Sequence, residues 1–164
     1  MKYEIDKKEM KNNVATEIAR HELYGCTGAE MVQEMKPYHI DFPNVKNNCL
    51  RFEVSPSIEE SATFTDADWA ELGNDFMQRM GLANHQYIII RHSGTESKKE
   101  QAHLHILANR VSLSGELYRD NWIGKKATEA ANAIDKERNF VHSKDIGKVN
   151  KAEIKEDKEG VLKK

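Results

Sequence analysis

Apolar residues recur along this chain at two spacings, and each spacing predicts a different kind of element. Cys49-Leu-Arg-Phe-Glu-Val54 alternates apolar and charged side chains, the pattern of a strand with one buried face. Residues 85–92 (HQYIIIRH) hold the longest apolar stretch, Tyr87-Ile-Ile-Ile90, and read as a buried strand. A polar loop over 93–101 (SGTESKKEQ) leads into another strand over 102–111 (AHLHILANRV), and Ser114-Gly115 marks a turn.

Helical spacing governs the rest. Met10, Val14 and Ile18 stand four apart within residues 6–20 and predict a helix with a thin apolar stripe. Thr27-Gly-Ala-Glu30 has the spacing of a capping box and starts a helix through Met31, Val32 and Met35, which ends before Pro37. Residues 37–47, with Pro37, Pro43 and several asparagines, read as a loop. Thr65-Asp-Ala-Asp68 repeats the capping spacing. It opens a helix to Met80 that buries Trp69, Leu72 and Phe76 and stops at Gly81. Residues 124–139 read as an alanine-rich helix. The expected order is helix, helix, strand, helix, strand, strand, helix. It implies an α+β sandwich with helices packed on one face of the sheet and the other face open to a ligand.

Composition narrows the class. A chain of 164 residues, 38% hydrophobic, fills one core and is cramped for two. No apolar run approaches the roughly 18 residues of a membrane-spanning helix. The first residues, MKYEIDKKEMK, lack the apolar segment of a secretory signal. Cys26 and Cys49 make neither a disulfide framework nor a CxxC motif, so a reducing cytoplasmic setting is expected. The net charge of −2 argues against a generic polyanion binder, but the charge is uneven. Residues 1–83 carry 9 basic and 15 acidic side chains, and residues 84–164 carry 16 and 12. An anionic ligand is therefore expected on the second half. Residues 144–164 read as a charged tail or linker following a domain over 1–143.

The candidate chemistry lies in the hairpin. Residues i and i+2 of a strand share a face, so His103 and His105 point one way, and Leu104, Ile106 and Ala108 point the other way into the core. If the two strands pair antiparallel, His92 comes beside His103 on the same face. Three neutral imidazoles then form a partial coordination shell with positions left for water or substrate. A lone histidine on a strand is ordinarily just a polar residue, and HxH alone occurs by chance. Three on two adjacent strands beside an open face point to a metal. A histidine-triad nucleotide hydrolase is disfavoured, because its third histidine would fall at Leu107.

Gln86-Tyr-Ile-Ile-Ile-Arg-His92, followed by His103-Leu-His-Ile-Leu-Ala-Asn-Arg110, resembles the relaxase/mobilization nuclease family, the HUH-type nicking enzymes of the MobA and VirD group. Leu23 to Met35, Thr65 to Gly81 and Gly115 to Trp122 resemble further stretches of that family, so the likeness runs over roughly residues 3–140. The resemblance implies a central antiparallel sheet with helices packed on one face, related to that of rolling-circle replication initiators, and metal-dependent, strand-specific cleavage of single-stranded DNA at an origin of transfer. A tyrosine would attack the scissile phosphate and stay linked to the 5′ end. It further implies that His92, His103 and His105 hold Mg2+ or Mn2+, and that other mobilization proteins are partners.

The nucleophile has two candidates. Tyr3 matches the family's N-terminal placement best and Tyr24 is second. Asn109 and Arg110 follow the histidine strand as candidate DNA contacts, joined by Lys125 and Lys126 in the basic half. The family usually has a strand before its tyrosine, whereas this chain begins two residues before Tyr3. The loop after His92 also lacks the family's early aspartate, and its acids are Glu96 and Glu100. Two other functions stay open on the residues alone: a DNA-binding module that recognises a transfer origin without cutting, and a metal-dependent phosphohydrolase of small nucleotides.

Overall fold

The computed structural model describes residues 15–93 and 101–140. Four strands are present among them, β1 (Ala15–His21), β2 (Cys49–Val54), β3 (His85–His92) and β4 (His103–Ser112). They form one antiparallel sheet in the order β1-β3-β4-β2. The helices are α1 (Gly28–Met35), α2 (Ile58–Ser61), α3 (Asp66–Arg79) and α4 (Ile123–Arg138), with a 3-10 turn at Lys36–His39.

Local chemistry sets these boundaries. Capping boxes close the N-termini of α1 (Thr27 with Glu30), α2 (Ser57 with Glu60) and α3 (Thr65 with Asp68), each satisfying backbone N–H groups that the helix leaves unpaired. After α3, Gly81 adopts φ of 74°, a left-handed conformation that glycine enters without a Cβ penalty, and the chain turns into β3. The 3-10 turn opens the segment expected to be a plain loop.

Two faces of the sheet bury different things. Tyr87, Ile89, Leu104, Ile106 and Ala108 face Trp69, Leu72, Phe76 and Met77 of α3 and Ala130 and Ile134 of α4. Ile89, Leu104 and Ile106 are fully buried there, each worth roughly 1.5–3 kcal/mol. Gly73 lets α3 approach β3 closely: a Cβ at that position would lie 2.7 Å from Ile89 Cδ1. On the opposite face, Ile88 and Ile90 pack with Ala15, Leu23 and Met31, so α1 roofs part of it. The remainder, toward the paired ends His92 and His103, carries the histidines.

The first expected helix is in part a strand, and the face expected to be open is partly covered by α1. The helix expected over residues 6–20 is, from Ala15 onward, strand β1, paired with β3 from Ala15 opposite His92 to His21 opposite Tyr87. Met10 and Val14 lie outside the described residues. The register shifts between Glu17 and Ala19, a bulge that breaks the period of two by which a strand is recognised. Ile18 and Ala19 both lean toward the helix-covered core as a result.

Candidate metal centre

The register of the hairpin carries the geometry. His92 pairs with His103, and Ile90 pairs with His105, so all three rings stand on one face at one end of the sheet. Their ligand nitrogens lie within 4.8 Å of one another. His103 Nε2 is 3.0 Å from His105 Nε2, and the ring centroid of His92 is 4.4 Å from that of His105. Two bonds of about 2.1 Å meeting at about 90–109° would set ligand nitrogens about 3.0–3.4 Å apart. The His103–His105 pair is therefore at the spacing a shared cation requires, and the His92 nitrogen lies within 4.8 Å of both.

Neighbouring groups fix the ring orientations. His103 Nδ1 donates to the Gln101 carbonyl (2.8 Å), which leaves Nε2 as its lone-pair nitrogen. Arg51 Nη2 donates to His105 Nδ1 (3.3 Å), so the His105 proton sits on Nε2 and is donated to His103 Nε2. That proton occupies the place where a cation bound to both nitrogens would lie. His105 is only 7% exposed, and its pKa is pulled down to about 4. Burial is the main cause, followed by the charges of His92, His103 and Arg51, with Glu53 opposing. A neutral imidazole is the ligand form, so this environment favours coordination over protonation.

The cleft beside the rings is lined by Glu53, Ser55 and Gln101 as well as the histidines. Glu53 stands opposite His105 in the β2–β4 register and, among the described residues, is the one carboxylate lining that cleft. Reading the sequence missed it. The alternation of Cys49–Val54 placed its side chain on the polar face, but only the pairing of β2 with β4 puts that face beside the histidines.

The other candidate residues are distributed differently. Tyr24 follows the far end of β1, which is about 17 Å along the sheet from His92. It is 76% exposed, and its hydroxyl donates to Glu22 Oε2 (2.9 Å), which raises its pKa. The fold does not bring it to the histidines. Tyr3, Glu96 and Glu100 lie outside the described residues. Asn109 is fully buried: its side-chain N–H donates to Gln86 Oε1 (2.9 Å) and the Met35 carbonyl (3.3 Å), and its Oδ1 accepts from His39 Nε2 (2.6 Å). Arg110 donates to the carbonyls of Tyr118 and Asn47 and pairs with Asp120 at 2.9 Å. Both side chains hold loops to the sheet. Lys125 is exposed on the N-terminal turn of α4, and Lys126 Nζ donates to the Arg119 carbonyl above the Tyr118 ring.

Three imidazoles that could hold a metal ion thus converge at the paired ends of β3 and β4, on a four-stranded antiparallel sheet packed with helices. The family model of the relaxase MobA/VirD2-like nuclease domain matches residues 3–140, and the chain belongs to that family. No individually curated protein and no solved structure matches it. Among the described residues, no helix is long and apolar enough to cross a membrane.

Proposed function

We propose that this chain nicks one strand of DNA at an origin of transfer, in the mobilization of a plasmid or conjugative element, through a tyrosine–5′-phosphate intermediate. The observation that carries the reading is the convergence of His92, His103 and His105 in a chain of the relaxase family. In this reading the nuclease domain covers residues 1–143 and acts in the cytoplasm, and residues 144–164 are an appended charged segment. Single-stranded DNA is the substrate, with other mobilization proteins as partners.

The three histidines would hold Mg2+ or Mn2+. When bound, the ion supplies positive charge to a non-bridging oxygen of the scissile phosphate and orients it for in-line attack. The nucleophile in this reading is Tyr3. Ala15, where β1 begins, lies across from His92, so the chain enters the described sheet beside the histidines. The Tyr3 hydroxyl loses its proton, its oxygen forms a bond to phosphorus, and the bond from phosphorus to the 3′ oxygen breaks. That oxygen takes up a proton and leaves as a 3′-hydroxyl. In this reading Glu53, on the cleft wall, accepts the phenolic proton, which an unperturbed tyrosine gives up only near pH 10. The energy of the phosphodiester is kept in the phosphotyrosine, so the reverse reaction rejoins the strand without a nucleotide.

The test is a denaturing gel of a labelled single strand spanning the transfer origin, incubated with the full chain and Mn2+. A covalent protein–DNA band that Tyr3→Phe abolishes is the expected result. A mobility shift with no covalent band from the unaltered chain would make it a binding module, and release of mononucleotides would make it a phosphohydrolase.

A further inference from the structure

The largest exposed aromatic ring of the described residues has no structural explanation in the fold. Trp122 is 81% exposed, while Trp69 is 3% exposed in the core. Trp122 also adopts φ of 60°, a left-handed conformation that costs a bulky side chain of order 1 kcal/mol and that glycine would relieve. An indole held outside the core in a disfavoured backbone state is explained neither by packing nor by local propensity.

Its surroundings have a definite chemistry. Arg119, Lys125 and Lys126 lie within four residues of it, and the one acid among residues 117–128, Asp120, is paired with Arg110. Glu129 lies 3.9 Å from Lys125, and both side chains are largely exposed. Ile123 and Gly124, the next two residues, line a groove of about 490 Å3 between the edge strand β2 and α4. That groove also touches Glu53 and Ser55, which line the histidine cleft. One surface path therefore runs from the histidines, around the open edge of β2, to the exposed indole and its lysines. β2 is six residues long, so the path is about 20 Å, a few nucleotides of an extended strand.

We infer that Trp122 is a stacking platform for an unpaired nucleobase of the same single strand whose scissile phosphate lies at the histidines, with Arg119, Lys125 and Lys126 drawing in the flanking phosphates. The inference rests on the single-stranded DNA reading of the site. An aromatic face beside cations suits a single strand, because every base offers a π-face while duplex DNA keeps its bases stacked.

Trp122 provides its own reporter, since the other tryptophan is buried. The full chain is titrated with a 30-nucleotide mixed-sequence single strand at low salt, following intrinsic tryptophan emission and fluorescence anisotropy of the labelled strand. The strand should quench the emission. Trp122→Ala should weaken binding about tenfold, and Trp122→Tyr should restore it to within about threefold. Trp122→Gly should raise the thermal midpoint while weakening binding, a combination that a purely structural role would not give. Unquenched emission together with affinity of Trp122→Ala within about twofold of the unaltered chain would overturn the inference, as would loss of quenching on dilution without DNA, which marks a self-association face. A covalent adduct that forms normally while Trp122 proves indifferent sinks the platform alone. Quenching and tenfold weakening with no adduct from any strand uphold the platform and sink the nicking reading. No binding at all sinks both.

Discussion

The two ends of the β3–β4 hairpin both carry histidines, and they use them in opposite ways. At one end, His92, His103 and His105 turn their ring nitrogens toward one another beside an open cleft. At the other, each ring is tied to fixed groups. His85 Nδ1 donates to the Asn109 carbonyl (2.8 Å), His21 Nδ1 to the His85 carbonyl (2.9 Å), and His39 Nε2 to Asn109 Oδ1. The same residue type is a candidate ligand where its partners are other imidazoles and a structural cross-link where its partners are carbonyls. What separates the two is the identity of the neighbours, which comes from register and not from composition.

That contrast has measurable consequences, the largest at the open end. His105→Ala should weaken Mn2+ binding on the order of 100-fold, with little change in thermal midpoint. His85→Ala should do the reverse, and equal effects on metal affinity would erase the distinction. Next is Asn109→Ala, which removes the centre of the closed end. It leaves the Gln86 and His39 side chains without their buried partner and should cost about 2–4 kcal/mol in chemical denaturation. Metal affinity should hold, because Asn109 lies four residues, about 13 Å, along β4 from His105.

Acid provides a third separation. The pKa of His105 lies at about 4 in the folded chain, below the roughly 6.5 of an unfolded histidine. Between those values the unfolded chain binds the extra proton, so stability is complete above about pH 6.5 and is lost as pH falls toward 4. His85 is also lowered, chiefly by burial, and contributes in the same direction. His105→Gln should flatten part of that slope in denaturation curves measured from pH 7 to 4, and His85 should leave the rest. A slope unchanged by His105→Gln would contradict the environment described for that ring. The smallest effect is on binding at the cleft wall. Glu53→Gln should slow adduct formation roughly 10- to 100-fold while changing Mn2+ affinity by no more than a fewfold. A variant of full rate would remove Glu53 from the chemistry.

Much of this is legible in the sequence. The strands 85–92 and 102–111 and the helices after Thr27 and Thr65 follow from alternation, apolar runs and capping spacing, all of which act over a few residues. The convergence of the three histidines followed from one assumption, that the hairpin pairs antiparallel, which the register bears out. β1 was hidden by its bulge: with the period of two broken at Glu17–Ala19, the four-residue spacing of Met10, Val14 and Ile18 imitates a helix. The position of Glu53, the burial of Asn109 and the anchoring of Arg110 depend on contacts between residues about 50 to 75 positions apart. Local pattern carries no trace of such contacts. The polar pair Asn109-Arg110 inside β4 carries no local sign of the distant groups it meets.

The most direct measurement is electron spin-echo spectroscopy of Mn2+ added to the full chain, read for nitrogen couplings. One ion per chain with imidazole nitrogen signals that weaken in His92→Ala, His103→Ala and His105→Ala, and persist in His85→Ala, is what the converging rings require. An ion that binds without nitrogen couplings, or whose signals survive all three substitutions, would contradict a metal centre at this end of the hairpin.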